Sequence, residues 1–105
     1  FDEARYFRPA EKQALLEIRG RKIALTICED AWNDKQYWDR PLYSRDPVEE
    51  PVRQGADLLI SINGSPYHMH KRKLRRDIFT AIARRFGIPL VYVNQAGGND
   101  ELVFD

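Results

Sequence analysis

Cysteine and methionine each occur once in these 105 residues, and histidine only twice. A single thiol cannot close an internal disulfide, which excludes a small secreted scaffold stapled by bridges. Long apolar runs are missing as well. Nothing approaches the roughly 20 consecutive apolar residues of a membrane helix, and nothing like a secretion signal precedes the first expected strand. Charge of one sign is also lacking: 17 Lys and Arg meet 16 Asp and Glu, and the resulting +1 selects no particular partner. Repeats and low-complexity tracts are absent. These absences lead to the expectation of a cytoplasmic chain with no membrane association.

What is present is ordinary for a soluble globular protein, with 43% apolar and 31% charged residues, the mixture of a chain that builds a core. A length of 105 residues bounds the chain to one small domain or a piece of one. Phe1 stands where an initiator methionine would, and "ELVFD" ends as a strand with nothing after it, so a fragment of a larger domain is expected.

Three runs are apolar nearly throughout, as strands covered on both faces are: Lys22 to Ile27, Asp57 to Ile62 and Pro89 to Asn94. "ALLEIRGRKIALTI" adds an earlier strand as a hairpin partner, turning at Arg19-Gly20-Arg21. A polar, aromatic loop is expected over 33–45. A short helix over 48–54 follows, with Asp46-Pro47 and the acids Glu49 and Glu50 at its start, Pro51 in its first turn and Gly55 at its end. The segment 95–100 reads as a turn into a last strand, "ELVFD". Strand–helix–strand–helix–strand order predicts an α/β layered fold.

The run "HKRKLRR" is strongly basic and raises the question of nucleic acid. At helical spacing, however, Leu74, Ile78, Ile82 and Phe86 share one face. Lys71, Arg72, Arg75, Arg76, Arg84 and Arg85 cluster mainly on the other. No aromatics interleave with the charges. An amphipathic helix with a solvated basic face is the simpler reading, and no nucleic-acid partner is expected. Gly87 and Pro89 stop this helix.

Functional groups of open α/β sheets collect beyond the carboxyl ends of the strands. Three tips qualify here: Cys28-Glu29-Asp30, Asn63-Gly64-Ser65-Pro66-Tyr67 and Asn94-Gln95. Taken alone, Cys28 reads first as a small core residue. A nucleophilic thiolate needs a cation or a base nearby, and Glu29 and Asp30 have the wrong sign. His68 and His70 precede the basic helix at no strong zinc spacing, and they read as surface residues rather than as a metal set or a Cys–His pair. Asn63 and Asn94 are expected to close strand ends by hydrogen bonding, and Asp30 to serve the loop rather than the chemistry.

The segments "GRKIALTICEDAWN", "GADLLISINGSPYH" and "GIPLVYVNQAGGNDELVFD", in that order, resemble the nitrilase (carbon–nitrogen hydrolase) superfamily. Within it the likeness is closest to the glutamine amidotransferase domains of glutamine-dependent NAD synthetases. "FDEARYF" is similar to that family's "V-F-D-E-x-R-Y-F", and "NQAGGNDELVFD" to its "N-Q-V-G-G-N-D-E-L-V-F-D-G", with Ala96 for the usual valine. The resemblance runs over essentially the whole chain.

It implies part of a four-layer α-β-β-α sandwich and a Glu–Lys–Cys triad whose nucleophile is Cys28. Glu29 and Ser65 match positions that bind the two ends of the substrate glutamine, and Trp32 matches an aromatic position lining its pocket. Packing remains an equal reading for Trp32, and a plain turn residue is the alternative for Ser65. The backbone N–H of Glu29 is placed to serve as an oxyanion donor. The lysine and glutamate of the triad are expected upstream of Phe1. None of Glu3, Lys12 or Lys22 matches them, so this segment alone is expected to be inactive. The resemblance further implies a homo-oligomer and an ammonia tunnel to the protein's own C-terminal synthetase domain. ATP and magnesium are expected in that domain, and no cofactor for the glutaminase step. A stand-alone nitrilase-type amidase on another small amide, or a non-catalytic domain of the same fold, stays open on the sequence.

Overall fold

A computed structural model of the chain describes residues 3–32 and 45–105. After a short helix, α1 (Glu3–Tyr6), come β1 (Leu16–Ile18) and β2 (Arg21–Ile27), a 3₁₀ turn (Cys28–Trp32), α2 (Glu49–Arg53), β3 (Leu58–Asn63) and α3 (Lys71–Phe86). The chain closes with β4 (Leu90–Asn94), β5 (Gly97–Asn99) and β6 (Leu102–Phe104). Strands β1-β2-β3-β4 form one sheet in that order, antiparallel at β1–β2 and parallel thereafter. The α/β expectation holds, and so does the parallel arrangement that brings the strand tips to one edge. The loop expected over 33–45 lies, up to residue 44, outside the described residues.

Register explains where the core sits. Ala24, Leu59 and Leu90 are ladder partners across the sheet, as are Thr26, Ser61 and Tyr92 one step further along. These residues share the face on which the helices pack. There Ala24, Leu59, Ile78, Phe79 and Ile82 form the core, joined by Val48 from the approach to α2. Complete burial of side chains such as Leu59 and Ile78 (both 0% exposed) contributes about 1.5–3 kcal/mol each. The opposite face carries Leu16 and Ile18 of β1, Ile27 of β2, Ile62 of β3 and Val91 and Val93 of β4, all exposed. Such apolar exposure is large for a chain of this size.

Local chemistry sets the element ends. Arg19 and Gly20, both at positive φ (50° and 75°), make the two-residue turn of the β1–β2 hairpin, the geometry that matches strand twist. Asp46 Oδ1 accepts from the N–H groups of Val48 and Glu49 at 2.9 and 3.2 Å and so starts α2. Gly87, at φ 65°, donates its N–H to Ala83 O and ends α3, since only glycine enters that conformation without strain.

Two expectations need correction. The segment 95–100 is not merely a turn: Gly97–Asn99 pairs antiparallel with Leu102–Phe104. A ladder uses only backbone groups, which glycine supplies as well as any residue. The turn itself falls at Asp100, whose φ is 55°. Nor is the basic face of α3 solvated throughout, because Arg75 is 6% exposed.

Candidate active site at the carboxyl edge of the sheet

Along the helix-covered face the rows change character toward the strand tips. Ala24–Leu59–Leu90 is apolar, Thr26–Ser61–Tyr92 carries hydroxyls, and Asn63–Asn94 carries amides. Polarity is thus concentrated where β2, β3 and β4 end. Asn63 Nδ2 donates to Ser61 Oγ at 2.9 Å and to Val93 O at 3.3 Å, tying two tips together as expected.

Cys28 occupies the first position past β2, at φ 47°. A non-glycine residue there stores strain of about 1–2 kcal/mol. The turn is held by Asp30, whose Oδ2 accepts the Ile27 N–H at 2.9 Å, so the carboxylate clasps the corner from which the thiol projects. Cys28 is free and half-buried, and the 3₁₀ turn it begins packs on the ends of β2 and β3. Glu29 is half-buried in the same turn. Trp32, also half-buried, meets Phe79 edge-on at 6.5 Å between centroids, and Phe79 in turn contacts Tyr92 at 4.6 Å. Lys71 Nζ lies 5.9 Å from the Trp32 ring centroid. Trp32 thus packs against the core with a cation above the same ring.

Ser65 lies at the neighbouring tip and is 4% exposed. Its N–H donates to Asn94 Oδ1 at 2.9 Å, its C=O accepts from Asn94 Nδ2 at 3.1 Å, and its hydroxyl accepts from Arg75 Nη2 at 3.1 Å. A second contact of that nitrogen reaches Ser65 O at 2.7 Å and a third Pro66 O at 3.1 Å, while Nη1 binds Asp105 Oδ1 at 2.6 Å. The β5–β6 hairpin docks on this loop, with Tyr67 N–H donating to Val103 O and Asn94 Nδ2 to Asp105 O.

Tyr92 connects the two halves of the site. Burial pushes its phenol above the ordinary value. Arg75 opposes that shift and Cys28 adds to it, while a hydrogen bond with Ser65 lowers it. Its hydroxyl donates to Asn94 Oδ1 at 3.3 Å. Cys28 and Ser65 thus both lie within electrostatic reach of one phenol. The sequence pattern does not single out Arg75, Tyr92 or Asp105, although Arg75 stands three and seven residues before Ile78 and Ile82, which is core phase on a helix.

Among the described residues, no group of three or more His, Cys, Asp or Glu is placed to hold a metal. His68 Nδ1 lies 2.8 Å from Met69 O, and both histidines are exposed. No helix among the described residues is long and apolar enough to cross a membrane.

No family model matches the chain. All of it aligns with a glutamine-dependent NAD+ synthetase of Synechocystis sp. at 44% identity, spanning 19% of that protein's length. It superposes over 100% of its length on the glutamine-dependent NAD+ synthetase of Acinetobacter baumannii in complex with ADP, at TM-score 0.81 and 33% identity, covering 18% of that structure. A mutant amidase from Nesterenkonia sp. AN1 superposes over 94% of the chain and 33% of its own, at TM-score 0.71 and 25% identity. That structure shows covalent addition of the acetamide moiety of fluoroacetamide at the active-site cysteine. The chain is accordingly a homologue, along its whole length, of one segment of the glutamine-dependent NAD+ synthetases, with the mixed α/β fold of the nitrilase superfamily.

Proposed function

We propose that this chain is the nucleophile-bearing segment of the glutaminase domain of a glutamine-dependent NAD+ synthetase. The observation that carries the reading is the lone Cys28 held at positive φ on the tip of β2, in a chain that matches such synthetases over its full length. Cys28 Sγ attacks the side-chain amide carbon of glutamine, the C–N bond breaks, and protonated nitrogen leaves as ammonia. Water then attacks the γ-glutamyl thioester, the C–S bond breaks, and glutamate departs with the thiolate restored. Splitting amide hydrolysis at a thioester replaces one difficult step by two easier ones.

Glu29 serves the substrate end of the site and its backbone N–H the oxyanion. Ser65 contributes its hydroxyl to the amino-acid end of glutamine, and Trp32 walls the pocket. The activating lysine and the glutamate base are assigned to the part of the protein before Phe1. The sheet face bearing Ile27, Ile62 and Val93 is covered by the remainder of a four-layer sandwich. Ammonia is consumed by an ATP- and magnesium-dependent synthetase domain of the same protein, reached by a tunnel in a cytoplasmic homo-oligomer. The ADP bound to the Acinetobacter relative supports the nucleotide part of this reading.

The test uses the full-length protein. A glutamine-mimicking diazo-ketone is expected to modify Cys28, and Cys28→Ala to abolish glutamine-dependent NAD synthesis while sparing synthesis from free ammonia. Glutaminase activity surviving in Cys28→Ala overturns the reading. The likeness to an amidase that captures an acetamide moiety favours a second one, hydrolysis of another small amide. Turnover of short aliphatic amides in preference to glutamine would select it.

A further inference from the structure

We infer that Arg75 is a positioning residue for the substrate end of the site, setting both the place and the hydrogen-bond polarity of the Ser65 hydroxyl. The inference rests on the reading of Ser65 as a substrate contact. Arg75 leaves α3 on its core side, yet all four of its described bonds go to the rim of the site. They reach Ser65 O, Ser65 Oγ, Pro66 O and Asp105 Oδ1. None goes to the apolar core. A guanidinium only donates, and it does so in a fixed planar fork. Arg75 Nη2 therefore occupies an acceptor position of Ser65 Oγ, and the hydroxyl proton must point elsewhere.

A hydroxyl that accepts from a guanidinium still has its own proton to give, and a carboxylate is the strongest acceptor it can meet. Ser65 is thereby presented as a donor, the polarity required by an anionic group and useless to a cation. Asp105 completes the device. Its side chain keeps 34% exposure while Arg75 keeps 7%, so the carboxylate neutralises a charge that is otherwise buried without a partner. Arg75 thus ties Asp105 to the Ser65 loop.

Lysine retains the charge but is a compact donor that does not span Asp105 and three loop acceptors together. In the full-length synthetase, Arg75→Lys is expected to raise KM for glutamine about tenfold, the loss of one charge-assisted hydrogen bond, with a smaller change in kcat. NAD synthesis from free ammonia stays unchanged and certifies the fold. Ser65→Ala is expected to raise the same KM, and adding Arg75→Lys to it to raise KM little further, because one residue acts through the other.

A full additional tenfold in the double variant overturns the inference while leaving the Ser65 reading intact. Ser65→Ala without effect on KM overturns both. Should Arg75→Lys also lose the ammonia-dependent activity, Asp105→Asn replaces it as the probe. It loosens the same clamp from the exposed side, and an unchanged KM in that variant overturns the inference.

Discussion

Asn94 holds Ser65 by both of its backbone polar groups, accepting its N–H at 2.9 Å and donating to its C=O at 3.1 Å. A side-chain amide thus takes the place that the next strand residue would fill in a continuing ladder, so β3 ends but its chain stays anchored to β4. The same amide reaches Tyr92 and Asp105, which makes it the joint at which β4, the Ser65 loop and the final hairpin meet.

Asn94→Ala leaves the buried Ser65 N–H without its acceptor, at a cost of about 1–3 kcal/mol. Hydrogen exchange at the Ser65 amide is expected to accelerate about ten- to a hundredfold in the full-length protein, with the α3 amides far less affected. Uniform acceleration across the sheet would instead indicate global destabilisation and contradict the local role.

The strain at Cys28 predicts an inversion of the usual order of side chains. Glycine ordinarily destabilises relative to alanine, but at φ 47° it is alanine that suffers the Cβ clash. Cys28→Gly is expected to be more stable than Cys28→Ala by about 1 kcal/mol. Paired thermal melts decide, and an alanine variant equal to or better than glycine removes the case for strain.

Asp30 acts on the corner rather than on the substrate. Losing its bond to the Ile27 N–H resembles losing a helix cap, about 0.5–2 kcal/mol. In the full-length protein, Asp30→Ala is expected to slow diazo-ketone labelling of Cys28 severalfold, whereas Asp30→Asn, which keeps an acceptor oxygen, recovers most of it. Labelling of Asp30→Ala at the wild-type rate would falsify the clasp.

Much of this architecture is legible in the sequence, and what escapes has identifiable causes. The parallel core strands announce themselves as continuous apolar runs, although the face opposite the helices is exposed rather than covered as such runs suggest, and Gly20 announces the hairpin because its positive φ suits glycine. Arg75 escapes because its charge masks its phase: in "HKRKLRR" one arginine belongs to the core side, and only the helix geometry tells which. Its partners Ser65 and Asp105 stand 10 residues before it and 30 after it. Local pattern has no access to such separations. Glycine-rich "QAGGND" reads as a turn because side chains mark strands in a sequence, while the β5–β6 ladder is written in backbone alone.

The Arg75–Asp105 pair fixes a pH dependence by its sign. The hydrogen bond from Arg75, aided by its charge and that of Arg72, lowers the Asp105 carboxyl below its ordinary 3.8. A depressed carboxyl stabilises the fold fully above its unfolded value, and that contribution fades as pH falls through the lower folded value. The clamp is therefore expected to be constant across the neutral range and to open only in acid below 3.8. Carbon-detected NMR of Asp105 tests this, with Arg75→Met expected to return the titration upward. An unchanged midpoint in that variant would show that Arg75 is not the cause.

The bare sheet face makes the last prediction. Ile27 is 68% exposed, Ile62 49%, Val91 45% and Val93 47%, on the side opposite the helices. Each exposed aliphatic side chain forgoes about 1.5–3 kcal/mol of burial, and among the described residues β4 is moreover the edge strand of its sheet, a template for association. The isolated segment is expected to aggregate and to bind a hydrophobic dye, while the full-length protein keeps one defined oligomeric state and binds no dye at the same concentration. Replacing Ile62 and Val93 by threonine, which keeps β-branching but removes apolar area, is expected to make the isolated segment more soluble. The same double change in the full-length protein is expected to destabilise it by about 1 kcal/mol or more per site, because a hydroxyl is then buried without a partner. A full-length protein indifferent to that change would mean that this face stays open to water in the complete molecule.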